Sequence, residues 1–140
     1  MSMATEWLAS QGRGFISGVV LQGAGDHFCP GGNVYRKRAP ASSLAAVARG
    51  SIDLFDGFCR LRTLPAPTVC AAHGAVLGGG LAICLLTDFV TCDDAVTFHV
   101  GERSRGIYPA GLLTRTLADA VGTDGATAVS YTHLTLPTKA

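Results

Sequence analysis

The run Ala72-His73-Gly74-Ala75-Val76-Leu77-Gly78-Gly79-Gly80-Leu81-Ala82 decides the reading of this chain. It follows the apolar segment Thr68-Val69-Cys70-Ala71-Ala72, a buried strand by composition, and it opens into an apolar helix. A glycine turn between strand and helix leaves main-chain N–H groups unpaired at the helix start, where the helix dipole favours an anion. A second glycine motif, Phe28-Cys29-Pro30-Gly31-Gly32-Asn33, follows the strand-like stretch Ser17-Gly18-Val19-Val20-Leu21-Gln22-Gly23. Two glycine turns, each after a strand, can aim two N–H groups at one point. Such a pair would stabilise a developing oxyanion, with Gly32 and Gly79 as the donors. Glycine at such a turn lets a bound group approach the backbone closely.

The remaining elements alternate between strand and helix. A short helix is expected over residues 4–11, with Trp7 and Leu8 facing a core. The stretch 44–61 carries Leu44, Val47, Ile52, Phe55, Phe58 and Leu61 near helical spacing, with Ser42 or Ser43 as cap and Pro65 and Pro67 beyond its end. Further strands are expected over residues 88–92 and 96–98. A last helix is expected over 112–121, ended by Gly122. This order is α/β.

At 140 residues the chain allows one domain, and 48% hydrophobic against 15% charged residues excludes disorder by composition. So apolar a chain is expected to bury its strands on both faces, or to bury apolar surface against partner subunits. A net charge of +1 makes no case for nucleic acid or an anionic membrane as partner. The chain opens without a basic segment and apolar core of the secretory kind, so a cytoplasmic or organellar-matrix protein is expected. Five cysteines without a CxxC pair suggest neither a disulfide framework nor a metal site, and are expected to be small buried hydrophobes.

Three groups of residues together resemble the enoyl-CoA hydratase/isomerase (crotonase) family: the two glycine motifs, Thr87-Asp88-Phe89, and Phe98-His99-Val100-Gly101-Glu102 with Gly106-Ile107-Tyr108-Pro109-Ala110-Gly111. The resemblance spans residues 17–122. It implies a ClpP/crotonase-type α/β fold, a spiral of ββα units, here incomplete. It also implies assembly as a homotrimer or hexamer, and an acyl-thioester substrate on coenzyme A or an acyl-carrier protein. No metal or redox cofactor is implied, since coenzyme A or phosphopantetheine is part of the substrate.

The thioester carbonyl would bind between the N–H groups of Gly32 and Gly79, flanked by Gly31, Asn33, Gly78 and Tyr108. Arg36, Lys37 and Arg38 would meet the carrier's phosphates, the rival reading being a solvated charge run. Glu102 matches one of the two glutamates that the family's hydratases use. The other follows the glycine triplet by two positions, where this chain carries Ala82.

Addition of water needs one carboxylate for the water and a second group to deliver a proton. A single carboxylate favours isomerisation or dehydration, as in some fatty-acid and polyketide members. The alternative is a non-catalytic acyl-CoA-binding or assembly subunit, or an inactive fragment. His27, His73 and His99 read as loop or core histidines.

Residues 129–140 differ in character from the Gly/Ala-rich chain before them. The string Val129-Ser130-Tyr131-Thr132-His133-Leu134-Thr135-Leu136-Pro137-Thr138 resembles a translated sequencing adapter. Residues 1–128 are therefore read as a partial crotonase-like domain and 129–140 as an artefactual tail without helical or strand period. An incomplete sheet is expected to leave apolar surface and unpaired edges.

Overall fold

The computed structural model describes residues 2–12, 14–32, 43–101 and 109–132. The elements in chain order are α1 (Ser2–Ser10), β1 (Val19–Gln22), α2 (Leu44–Cys59) with a 3-10 turn (Arg60–Thr63), β2 (Thr68–Ala72), β3 (Ala75–Leu77), α3 (Gly79–Cys84), β4 (Phe89–Cys92), β5 (Thr97–His99) and α4 (Leu113–Thr132). None of the described helices is long and apolar enough to cross a membrane.

Two parallel sheets organise the chain. The first has strand order β1-β2-β4, with Val20 opposite Val69 and Val69 opposite Phe89. The second pairs β3 with β5, Val76 opposite Phe98, and Cys29 adds a parallel bridge to Val76. Parallel neighbours require crossovers, and helices supply them. The chain contributes a segment to the first sheet, then one to the second, then a helix. It does so three times: β1, the Cys29 segment and α2; β2, β3 and α3; β4, β5 and α4. The result is a spiral of ββα units, the crotonase-like α/β fold. The short β3 is an element that periodicity misses, because its three residues lie between Gly74 and Gly78.

The core lies where the two sheets meet α3 and α4. Cys70, Val76, Ala82, Cys84 and Leu113 are buried there, and Phe58, Leu61, Ile83 and Leu86 form a second cluster under α2. Small residues on α3 let the helix sit close to both sheets.

Several expectations are corrected. Trp7 is 58% exposed rather than facing a core, and Leu44, Val47 and Ile52 are exposed. Only the C-terminal half of α2 packs, because α1 and the 3-10 turn meet it there while nothing described covers its first turns. Burial on both faces holds for β2 and β3, whose residues are all buried or half-buried, but not for β4, every residue of which is exposed. Cys92 is exposed, unlike Cys70 and Cys84. Gly122, at φ 78° and ψ 161°, ends the first helical stretch of α4 as expected, and a second helical stretch runs from beyond it to Thr132. Residues 129–132, read from sequence as lacking helical period, are therefore helical.

Asp88 ties the first sheet together ahead of β4. Its Oδ2 accepts from the Thr68 N–H at 2.7 Å and from the Thr68 hydroxyl at 2.8 Å. The Thr68 hydroxyl first, then the Thr68 N–H and the charge of Arg62, hold the Asp88 carboxyl below the usual carboxylate range. A depressed carboxyl contributes stability above its unfolded-state pKa, and that contribution is lost as pH falls through the folded value. Asp88→Asn is expected to cost about 1 kcal/mol at neutral pH, solvent screening having reduced the charge-assisted bonds. It should also flatten the acid side of the stability profile. Urea unfolding at several pH values checks this, and curves identical to wild type at neutral pH would refute it.

Candidate active site

The two glycine loops are stitched together along their length. After β1 the chain turns through Gly23, where a Cβ would meet the backbone of His27 and Phe28. The Phe28 N–H then donates to the His73 carbonyl at 2.8 Å, and the Cys29 N–H to the Ala75 carbonyl at 3.2 Å. The Leu77 N–H returns a bond to the Cys29 carbonyl at 2.9 Å. These bonds are the parallel bridge that sets Cys29 beside β3.

The glycines of the two motifs divide into two kinds. Gly31 has φ +91°, and a Cβ on it would lie 3.3 Å from the Leu77 carbonyl oxygen. Gly80 has no room for a Cβ, which would overlap the Cys29 carbonyl oxygen and lie 2.7 Å from the Cys29 Cβ. Gly78 has φ +51° and donates its N–H to the His99 carbonyl at 3.0 Å. Gly31 and Gly80 hold the loops against each other, and Gly78 ties the second loop to β5. Gly32 and Gly79 differ from them: among the described residues, a Cβ at either would meet nothing within 4 Å. A Cβ at either position would thus be accommodated without displacing a described atom.

Gly79 is the first residue of α3, and Ala82 makes the helix's first four-residue bond, to the Gly78 carbonyl at 3.0 Å. The amides before Ala82 lack intrahelical acceptors, as at any helix start. Gly79, the donor that the resemblance implies, lies in this first turn.

β5 brings the chain back beside this turn. His99 lies opposite Leu77, and Val100 after it is buried in the core. Gly101 then passes against the His99 ring. Glu102 follows and lies outside the described residues, as do Asn33, Arg36, Lys37, Arg38 and Tyr108.

Ala82, at the position of the family's second glutamate, is 1% exposed. A Cβ on Gly111 would lie 3.4 Å from the Ala82 Cβ, 3.5 Å from the Phe55 ring and 3.7 Å from the Phe58 ring. Phe55 and Phe58 meet edge to face with centroids 6.1 Å apart. The surroundings of this position are apolar, and an ionised carboxylate there would have no described partner.

Cys70 and Cys84 are buried together, and the hydrogen bond between them, with burial, pushes the Cys70 thiol up. They behave as small core residues. Among the described residues, no group of three or more His, Cys, Asp or Glu side chains could hold a metal ion.

The family model for enoyl-CoA hydratase/isomerase matches residues 11–138. A probable enoyl-CoA hydratase of Mycobacterium tuberculosis is 32% identical over 107 residues, which cover 76% of this chain and 41% of that protein. The alpha subunit of a fatty acid oxidation complex of Vibrio vulnificus is 37% identical over 101 residues, 69% of this chain and 14% of that one. A solved enoyl-CoA hydratase-like structure from Thermobifida fusca, in complex with acetoacetyl-CoA, superposes with a TM-score of 0.73 at 22% identity, over 84% of this chain and 49% of that one. The chain thus spans less than half the length of each of these relatives.

Proposed function

Because the chain belongs to the enoyl-CoA hydratase/isomerase family, we propose that it forms the oxyanion-binding part of an enzyme acting on acyl-thioesters. The observation that carries this reading is the contrast between glycines: Gly31 and Gly80 are locked in contact, while a Cβ at Gly32 or Gly79 would meet no described atom within 4 Å. A thioester carbonyl oxygen seated there would accept from both main-chain N–H groups. Coenzyme A enters as part of the substrate, consistent with the acetoacetyl-CoA complex of the Thermobifida fusca protein. Arg36, Lys37 and Arg38 are the cations proposed for its phosphates, or for those of a carrier-protein phosphopantetheine.

The reaction proposed is proton transfer through an enolate, with Glu102 as the acid and base. The Glu102 carboxylate takes an α proton from a 3-enoyl thioester. The electron pair moves onto the carbonyl oxygen and is stabilised by the two N–H groups. The same carboxyl returns the proton at the γ carbon, leaving the conjugated 2-enoyl thioester. Proton count and charge balance without a second acid, which suits the apolar surroundings of Ala82. Dehydration of a 3-hydroxyacyl thioester is the neighbouring possibility for one carboxylate.

A comparison of two rates tests the preference. Double-bond migration in a 3-enoyl-CoA is expected to exceed water addition to a 2-enoyl-CoA by about 100-fold, the contribution of a missing general acid–base group. Hydration as fast as isomerisation would overturn it. The second reading is a non-catalytic acyl-CoA-binding or assembly subunit, favoured by the same Ala82; it predicts thioester binding with neither reaction.

A further inference from the structure

Each glycine loop carries a histidine whose ring reaches the main chain of the other loop. His27, in the loop after β1, accepts at Nδ1 from the Ala75 N–H at 3.1 Å. His73, directly after β2, places Nε2 2.9 Å from the Gly25 carbonyl oxygen and Nδ1 3.1 Å from the Ala71 carbonyl oxygen. The two contacts cross between segments 48 residues apart in sequence. Between them sits Gly74, at φ +56°, where a Cβ would overlap the Asp26 carbonyl oxygen and lie 2.6 Å from His27 Nδ1. The loops are thus in contact through two imidazoles and a glycine with no spare volume.

We infer that His27 and His73 are positioning residues which set the separation of the two oxyanion donors; this rests on the oxyanion reading proposed above. His27 lies five residues before Gly32, and His73 six residues before Gly79. Both nitrogens of His73 already face carbonyl oxygens, so neither is directed at a substrate proton. Nδ1 of His27 receives an N–H and so carries no proton of its own.

Their action is geometric. The Cys29–β3 bridge fixes the loops at one end, and the crossed imidazoles fix them at the turns before it. A pair of donors works on an oxyanion only when both lie at hydrogen-bond distance from the same oxygen. A loop free to drift by a fraction of an ångström would separate them.

The test reads the polarisation of a bound carbonyl. Butanoyl-CoA carrying 13C at the thioester carbonyl is bound to the full chain, and its carbonyl stretch is followed by difference infrared spectroscopy. Two donors on one oxygen lower that frequency. In His27→Ala and His73→Ala the lowering is expected to be mostly lost while affinity for the thioester is retained. Isomerisation should show kcat reduced about 10- to 100-fold with KM little changed.

The conservative variants should restore the wild-type frequency. His27→Asn keeps an acceptor at the δ position, and His73→Gln keeps a donor at the ε position. A merely structural role would lower affinity and frequency shift together, and would show no such rescue.

Alanine variants that fold and keep the full frequency shift would overturn the proposal. If alanine variants fail to fold, His27→Asn is compared with His27→Gln, which displaces the acceptor. An equal shift in the two overturns the proposal, and loss in His27→Gln alone supports it. A wild-type protein that binds butanoyl-CoA without any frequency shift would overturn the oxyanion reading itself. Shifts in both wild type and alanine variants would overturn only the role of the histidines.

Discussion

Gly80→Ala is expected to destabilise the fold by about 3 kcal/mol, the upper end for an added methyl in a packed interior. The new Cβ would overlap the Cys29 carbonyl oxygen and approach the Cys29 Cβ to 2.7 Å. Cys29 cannot yield easily, because its N–H and carbonyl are both bonded within the second sheet, to Ala75 and Leu77. Relief requires the Cys29–Gly32 loop to move away from α3, which separates the proposed donors. Turnover should fall about 100-fold, the loss seen when one oxyanion donor is removed.

Gly79→Ala is the internal control. Its Cβ meets nothing within 4 Å among the described residues, and its backbone is not in the left-handed region, so stability should change by less than about 1 kcal/mol. A methyl there enters the space proposed for the thioester, and activity should fall without the fold. Denaturant unfolding of both variants beside the isomerisation assay separates the two effects. A Gly80→Ala protein as stable as wild type would show that the loops are not held as described.

The second large effect is expected at Glu102. Glu102→Gln keeps the size of the side chain and removes the proton-accepting oxygen. Isomerisation should fall by about 100- to 10,000-fold, the range for a general acid–base group. Thioester binding should persist, because the two main-chain donors remain. The described structure supports this placement up to Gly101: β5 pairs with β3, the His99 carbonyl receives the Gly78 N–H, and Val100 anchors the chain in the core. Glu102 is the next residue but one after that anchor. Turnover unchanged in Glu102→Gln, measured at saturating 3-enoyl-CoA, would remove it from the mechanism.

The α/β alternation was legible because the strongest signals are local. Thr68–Ala72 carries the β-branched and apolar run of a strand. Ser43 caps α2 by accepting from the Ala46 N–H at 3.2 Å, and Pro65 and Pro67 separate the 3-10 turn from β2. β3 was not legible, since three residues between glycines have too little pattern to distinguish strand from turn. Nor was the exposure of Trp7, Leu44 and Ile52, because periodicity reports which face is apolar and not whether anything covers it.

At the site, the glycine motifs marked the residues to watch, but their contact depends on the bridge from Cys29 to Val76. The fit of Gly80 against Cys29 has no local trace in the sequence. The crossed bonds of His27 and His73 were missed for the same reason: each joins a ring to a main-chain group 48 residues away. The one usable signal was a histidine beside each glycine turn.

Deuterium exchange at the α carbon of a saturated acyl-CoA tests the central claim most directly. Such a thioester can neither isomerise nor add water, so any exchange reports enolate formation alone. The protein, incubated with butanoyl-CoA in deuterium oxide and followed by proton NMR, should wash out the α-proton signal, and Glu102→Gln should not. Binding of butanoyl-CoA with no exchange above the buffer rate would contradict the account and leave a protein that holds acyl-thioesters without acting on them.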